Sequence, residues 1–238
     1  MTTAAAGWPA GFAIHERAVE PDGELVDELR GVPTALVSDA LGRLVGSRGL
    51  IAYHGDRSLA LCGIALTVRV RPGDNLMVHK ALTLARPGDV LVVDGSGDTS
   101  HALLGGLMRL AALARGLAGV VVDGAIRDTA EWAQGELPVF ARGHAHRGPS
   151  KDGPGEINVP VSCAGLAVSP GDVVVGDADG VVAFAPERLQ AVLETVRAGA
   201  AREGEQEAHH RASRSAPELL ARDVERVDAL LRAKGWPV

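Results

Sequence analysis

The 238-residue sequence predicts an α/β protein, on three observations. Asp89 to Asp94 (DVLVVD) and Gly119 to Asp123 (GVVVD) are short, continuously apolar and bounded by turn residues, the pattern of strands buried on both faces. Between them, His101 to Arg115 reads as a helix of the length a crossover needs, so the three form a βαβ unit with parallel strands and a right-handed connection. The turn PGD recurs in PGDNL, PGDVLVVD and PGDVVVGD, the same punctuation leading repeatedly into a strand.

The remaining elements follow in order. Pro33 to Val45 (PTALVSDALGRLV) has helical apolar spacing, with Ser38 and Asp39 early enough to act in capping or at a site. Ala60 to Val70 alternates as a strand and ends at the turn RPGDN, after which Leu76 to Ala85 reads as a helix. The strand DVLVVD closes on the Gly-rich loop GSGDTS. Beyond Trp132 the pattern is again β-rich: PVFARG, the polar loop HRGPSKDGPGEINVPVS, and LAVSPGDVVVGDADGVVAFAP, two strands joined by the turn DADG. From Pro186 onward the chain reads as helical, with a break at Ser213 to Pro217. The last helix carries Leu219, Leu220, Val224, Val227, Leu230 and Leu231 in one stripe, fit to pack on its own subunit or on a neighbour.

Composition removes several function classes. Hydrophobic residues make up 46% and aromatics only 3%, with 30 glycines, which suits close packing of helices on a sheet. The net charge is −6 and Lys and Arg are spread along the chain, so no basic stripe suits a nucleic acid backbone. Cys62 and Cys163 are isolated thiols, consistent with a reducing compartment, and no CxxC offers a zinc site. The N-terminus lacks the basic start of a signal peptide, and no apolar run has the length of a membrane span. The expectation is a soluble, cytoplasmic protein.

Chemistry concentrates in VVVDGAIRDTAEW, where a strand ends and an Arg–Asp pair follows at once. Neighbouring side chains of a straight strand point to opposite faces, so Arg127 and Asp128 can serve one ligand only if the chain turns between them. A guanidinium fork grips a carboxylate, and an adjacent Asp can hold a hard divalent ion that keeps most of its waters. Together they suit a 2-oxo acid with Mg²⁺ or Mn²⁺; the other reading is a surface ion pair. The loop Gly95 to Gly106 reads either as backbone amides for an anion or as tight packing of helix on sheet. His79 and Lys80 are placed to approach the same cleft or to be structural. His144, His146, Arg147, Lys151, Asp152 and Glu156 crowd one Gly- and Pro-rich loop, either a functional or interface loop or a solvated one. His209 and His210 read as solvent-facing. No nucleophile elbow, Walker loop or dinucleotide fingerprint is present.

The runs DNLMVHKALTLARPGDVLVVDGSGDTSHALLGGLM, RGLAGVVVDGAIRD, PVFARGHAHRGPSKDGPGEINVPVS and PGDVVVGDADGVVAFAP resemble the RraA-like family over roughly residues 30 to 190. That family includes metal-dependent (class II) 4-hydroxy-4-methyl-2-oxoglutarate and 4-carboxy-4-hydroxy-2-oxoadipate aldolases, and many members carry a misleading label as menaquinone methyltransferases. The resemblance implies a β/β/α swivelling-domain sandwich over residues 31–190, after an N-terminal arm or helix (1–30) and before C-terminal helices (191–238). It implies a homotrimer or hexamer with sites between subunits.

Carried onto this chain, the resemblance makes Asp128 the metal ligand and Arg127 the residue that holds the pyruvyl portion. Amides of Gly105, Gly106, Leu107 and Met108 would surround the substrate carboxylate. The implied reaction is a metal-dependent retro-aldol cleavage of a 4-hydroxy-2-oxo acid, or decarboxylation of oxaloacetate. The alternatives are a non-catalytic regulator of the kind that names the family, whose Arg–Asp pair lacks the Asp, and a related enzyme with altered chemistry. One departure stands out: the family places Asp or Glu after the glycine of ALxG, and this chain reads ALLGG with Gly106 there. Glu203 or Glu205 aligns with an acid delivered by a neighbour's C-terminal helix, and Asp94, Asp98 or His101 are candidates to compensate for Gly106.

Overall fold

The structure, a computed structural model, describes residues 9–238. The chain forms two units, one ending at Leu193 and the other comprising Glu194–Val238.

The first unit is built on a ten-stranded sheet. Its main path runs β1 (Phe12–Ile14), β8 (Gly155–Ile157), β3 (Leu61–Val70), β4 (Asp89–Asp94), β6 (Gly119–Ile126), β7 (Val139–His144) and β2 (Ile51–Ala52). Strands β3, β4, β6 and β7 are mutually parallel, and β4 aligns with β6 from Val90↔Gly119 to Asp94↔Asp123. The hairpin β11 (Val173–Asp177) and β12 (Gly180–Phe184) branches from β3, and the short pair β9 (Val161–Cys163) and β10 (Leu166–Val168) stands apart. Helices α1 (Gly23–Asp27), α2 (Thr34–Ala40), α3 (Leu76–Leu84), α4 (Gly106–Ala114) and α5 (Thr129–Ala133) complete it.

Alternation along the central strands explains the layering. Val90 and Val92 of β4 pack with Val121, Phe140, Cys163, Leu166 and Val174, whereas Leu91 and Val93 pack with Val78 and Ala81 of α3, Met108 and Ala112 of α4, and Trp132 of α5. One face of the sheet thus meets β-structure and the other meets helices, a β/β/α sandwich. Because both faces are buried, the strands are apolar without interruption; each such Val or Leu contributes about 1.5–3 kcal/mol.

Two segments differ from the sequence reading. His101 to Arg115 is not helical throughout: Ala102–Leu104 forms β5, parallel to the end of β6 with Ala102 opposite Ala125 and Leu104 opposite Ile126, and α4 starts only at Gly106. All three β5 residues are buried, and pairing with β6 satisfies backbone that a helix would have satisfied within itself. The helix predicted over Pro33 to Val45 stops at Ala40, because Gly42 and Arg43 take positive φ (82° and 61°) and a helix cannot continue through them.

Helix α6 (Leu189–Ser213) begins in the first unit and continues through the second, followed by α7 (Pro217–Ala233). Within the second unit, His209 Nε2 lies 3.1 Å from Asp223 Oδ2 and ties α6 to α7. On α7, Leu220, Val224, Val227 and Leu230 of the apolar stripe are exposed. Among the described residues, no helix is long and apolar enough to cross a membrane.

Candidate functional site

The site forms where β6 runs out. The Arg127 amide donates to Leu104 O of β5, and the Ala145 amide beyond β7 donates to Ile126 O, so the strand end is clamped on both sides. Asp128 then takes the left-handed conformation (φ 60°, ψ 42°), and the chain turns where the sequence required it to. The turn brings the adjacent side chains together, with Arg127 Nε 3.5 Å from Asp128 Oδ2. Both remain open to solvent, at 44% and 38% exposure.

Helix α4 starts directly against this pair. Asp128 Oδ2 accepts a 2.9 Å hydrogen bond from the Gly106 amide, a carboxylate placed on the positive end of a helix. Gly105 makes the approach possible: a Cβ there would lie 2.6 Å from Asp128 Oδ2 and 2.9 Å from Arg127 Cγ. From the other side, Trp132 Nε1 donates to Arg127 O at 3.0 Å while its ring is fully buried, which couples the Arg127 backbone to the core.

A cavity of about 220 Å³ opens beside Arg127, lined also by Asn75, His79, Leu107, Gly148 and Lys151. Asn75 is 4% exposed; its Nδ2 donates to Leu103 O at 2.8 Å, and its Oδ1 has no partner among the described residues, an acceptor awaiting a donor. Burial and the Lys151 ammonium hold the His79 imidazole below its ordinary value. A second cavity of about 320 Å³ adjoins Asp128 and is lined by His144 and His146. Tyr53 Oη lies 3.0 Å from His144 Nδ1.

The polar loop that closes the first cavity is pinned by a residue that sequence reasoning passed over. Asp74 is fully buried and accepts from the Ser150 hydroxyl (2.6 Å) and from the amides of Asp152 (2.7 Å), Gly153 (3.0 Å) and Leu76 (3.0 Å). Burial opposes its ionisation, but these hydrogen bonds outweigh it and hold the carboxyl below the usual range. The only signal in sequence was the PGDN turn, where Asp reads simply as a turn residue. Replacing Asp74 with Ala is expected to cost about 2–3 kcal/mol in urea unfolding, since hydrogen bonds to a charged group are lost. Acid should act in the same direction. A carboxyl held low when folded stabilises above the unfolded value near 3.9, and that contribution disappears as pH falls through the folded value. Hydrogen exchange over residues 148–154 measured from pH 6 to pH 3 checks this.

The structure sorts the other sequence candidates. Of the four amides at the start of α4, Gly106 N is committed to Asp128 and Met108 N to Gly105 O, which leaves those of Gly105 and Leu107 to be considered for a ligand. His79 lines the cavity with Arg127. Asp98 binds Ser100 within its own loop and lines neither cavity, Asp94 accepts from Ser96, and His101 packs beside Ser100. Glu203 and Glu205 are exposed on α6 in the second unit. Ser38 bonds Val45 O and Asp39 pairs with Arg43, both structural uses. His210 is exposed, as the sequence reading has it, and His209 is half-buried; both also meet Asp223 across the helix break, with ligand-type atoms all within 4.8 Å of one another. Two imidazoles there would suit a borderline ion such as zinc better than magnesium.

Asp128 fits a hard divalent cation. Mg²⁺ needs only one or two protein carboxylates and keeps its remaining waters, and this half-exposed carboxylate has only one oxygen engaged by the backbone.

A family model described as RraA-like, Aldolase/RraA, matches residues 34–183. A protein of Halalkalibacterium halodurans, named provisionally as a 4-hydroxy-4-methyl-2-oxoglutarate aldolase, is 40% identical over 174 residues, 73% of this chain and 82% of that one. The 4-hydroxy-4-methyl-2-oxoglutarate aldolase of Thermus thermophilus is 40% identical over 109 residues, 46% of this chain and 66% of its own. Among solved structures, Streptomyces coelicolor RraAS2, described as an unusual member of the RNase ES inhibitor RraA protein family, superposes with a TM-score of 0.72. It is 29% identical, and the match covers 79% of this chain and 98% of that one.

Proposed function

Because the chain belongs to the RraA-like family, we propose that it is an aldolase-type, divalent-metal-dependent carbon–carbon lyase. It cleaves a 4-hydroxy-2-oxo acid, decarboxylates oxaloacetate, or does both. The observation that carries this reading is the turn at Asp128, which sets a guanidinium and a carboxylate side by side, with Arg127 lining both cavities and Asp128 lining the second.

Arg127 receives the 2-oxo acid, its fork matched to a carboxylate and to the oxygen on which charge develops. The Leu107 and Gly105 residues at the start of α4 line the same cavity as Arg127 and offer their amides as backbone donors. His79 and Lys151, which line the same cavity, suit a second carboxylate, and Asn75 Oδ1 suits a substrate hydroxyl. In retro-aldol cleavage the C4 hydroxyl gives up its proton and the C3–C4 bond breaks. Its electron pair enters an enolate of pyruvate, which is then protonated at C3; loss of CO₂ from oxaloacetate leaves the same enolate. Asp128 would hold the Mg²⁺ or Mn²⁺, which supplies positive charge against the enolate oxygen. No lysine Schiff base is needed.

The proposal extends to assembly and place. Leu107 and Leu110 on α4 are 82% and 52% exposed beside the site, which supports a trimer or hexamer with sites at subunit boundaries, and Glu203 or Glu205 as an acid from a neighbour. Two buried free thiols support the cytoplasm.

The test is pyruvate release from oxaloacetate and from 4-hydroxy-2-oxo acids, coupled to NADH oxidation by lactate dehydrogenase, with Mg²⁺ or Mn²⁺ and then with chelator. Turnover that stops with chelator is expected. The kinship to RraAS2 favours one other reading, a binding protein without chemistry, and the absence of turnover on every substrate would establish it over ours. Arg127→Lys keeps the charge but loses the fork, and kcat/KM should fall about a hundredfold.

A further inference from the structure

Among the described residues, three side chains of metal-binding type converge at one place, and it lies within the second unit. His209 and His210 stand near the end of α6, and Asp223 stands in α7 beyond the break. His209 Nε2 lies 3.1 Å and His210 Nδ1 3.6 Å from the same oxygen, Asp223 Oδ2. The first distance is a hydrogen bond; the second is too long for one, so hydrogen bonding does not account for the second imidazole. Adjacent residues of a helix project about 100° apart, and these two reach the one oxygen by presenting different ring nitrogens. Ser213, buried at the break, donates to His209 O at 2.9 Å and fixes the backbone from which the pair projects.

We propose that His209, His210 and Asp223 form a zinc site that fastens α7 to α6. Zinc bound by imidazole and carboxylate keeps its ligand atoms about 3.3–3.6 Å apart, as bonds of about 2.0–2.2 Å and tetrahedral angles require. The distances of 3.1 and 3.6 Å to Asp223 Oδ2 straddle that spacing, and His210 is exposed and free to turn onto the ion. The ligands select the metal: imidazole nitrogen suits zinc, copper and nickel, whereas magnesium, calcium and manganese prefer oxygen. Three protein ligands leave the fourth tetrahedral position to water. One cation competes, because Arg226 Nε lies 3.9 Å from Asp223 Oδ1. That contact is exposed, long and on the other carboxylate oxygen, so it is weak beside a coordinate bond. The hairpin has a use for such a clamp. No described side chain of α7 is fully buried, so apolar packing gives that helix little hold on α6, and a metal is a common staple for a unit with so small a core.

Titration of the metal-free full chain with Zn²⁺ against a chromophoric chelator tests this, with hydrogen exchange as a second readout. The parent is expected to take Zn²⁺ from the chelator, and Co²⁺ in its place should give the visible absorption of a tetrahedral site. His209→Gln, His210→Gln and Asp223→Asn should each weaken Zn²⁺ binding by about a hundredfold, at least the loss seen when a partner behind a metal ligand is removed. His210→Gln is the decisive variant: the side chain is exposed and its contact is too long for a hydrogen bond, so lost binding there is not a folding defect. Asp128→Asn should hold Zn²⁺ as the parent does, and excess Mg²⁺ should not displace it. Exchange over residues 205–228 should slow when Zn²⁺ is added to the parent and stay unchanged in His210→Gln. If the parent cannot compete with the chelator, or His210→Gln binds Zn²⁺ as tightly as the parent, there is no such site. Binding through these residues that leaves exchange unchanged would overturn the clamp.

Discussion

Asp128→Asn is expected to lower kcat/KM about a thousandfold, equivalent to about 4 kcal/mol of transition-state stabilisation, with the melting temperature unchanged within a degree or two. The choice of Asn matters. Residue 128 sits at φ 60°, a region Asn tolerates nearly as well as Asp, and the Asn side-chain oxygen can still accept from the Gly106 amide. Backbone and helix cap are thus kept, and what is lost is the negative charge that would hold the cation. Asp128→Ala is the less informative variant, since it adds the strain of an alanine in the left-handed region. Steady-state kinetics over a range of Mn²⁺ concentrations, with a thermal melt of each variant, separates the two. If Asp128→Asn turned over at the parent rate, the pair would be only a surface ion pair at a strand end.

The largest stability effect is expected at Trp132. Its side chain is wholly buried against the helical face of the sheet, and Trp132→Ala should cost about 3–5 kcal/mol in urea unfolding. The ring also holds Arg127 O through Nε1 at 3.0 Å, so the same change releases the backbone from which the guanidinium projects. Trp132→Phe separates these roles. It keeps most of the packing and drops the hydrogen bond, a loss of about 1 kcal/mol, so a rise in KM out of proportion to the small change in stability would show that the indole positions Arg127. Equal KM in parent and Phe variant would assign the tryptophan to the core alone.

These two residues also show what was legible in the sequence. The strand ends and the Arg–Asp pair could be read directly, because continuous Val runs bounded by turn residues carry the sheet. The requirement for a turn followed from the alternation of strand side chains. The break of the crossover into β5 and α4 could not be read, since Ala102–Leu104 has no period of its own and its pairing with β6 is a tertiary event. Asp74 was hidden by its chemistry, as its partners Ser150, Asp152 and Gly153 lie more than seventy residues away. The contact of His209 and the exposed His210 with Asp223 could not be read, because Asp223 reaches them across a break that periodicity treats as an end.

The burial of the central strands on both faces has a consequence for motion. β4 and β6 have protein above, below and on both edges, so their amides should exchange with deuterium only when the whole unit opens. Arg127 is attached to the end of that slow lattice, whereas Lys151 and Gly148 ride on a loop outside the sheet, tied by the Asp74 carboxylate and by a few backbone bonds at Arg147 and Ser150. Any breathing of the cavity therefore belongs to the loop and not to the guanidinium. Substrate should enter and leave by excursions of residues 147–153 while the reacting end stays fixed in place. Slower deuterium uptake in that loop when oxalate is added, with β4 and β6 unaffected, is the expected signature.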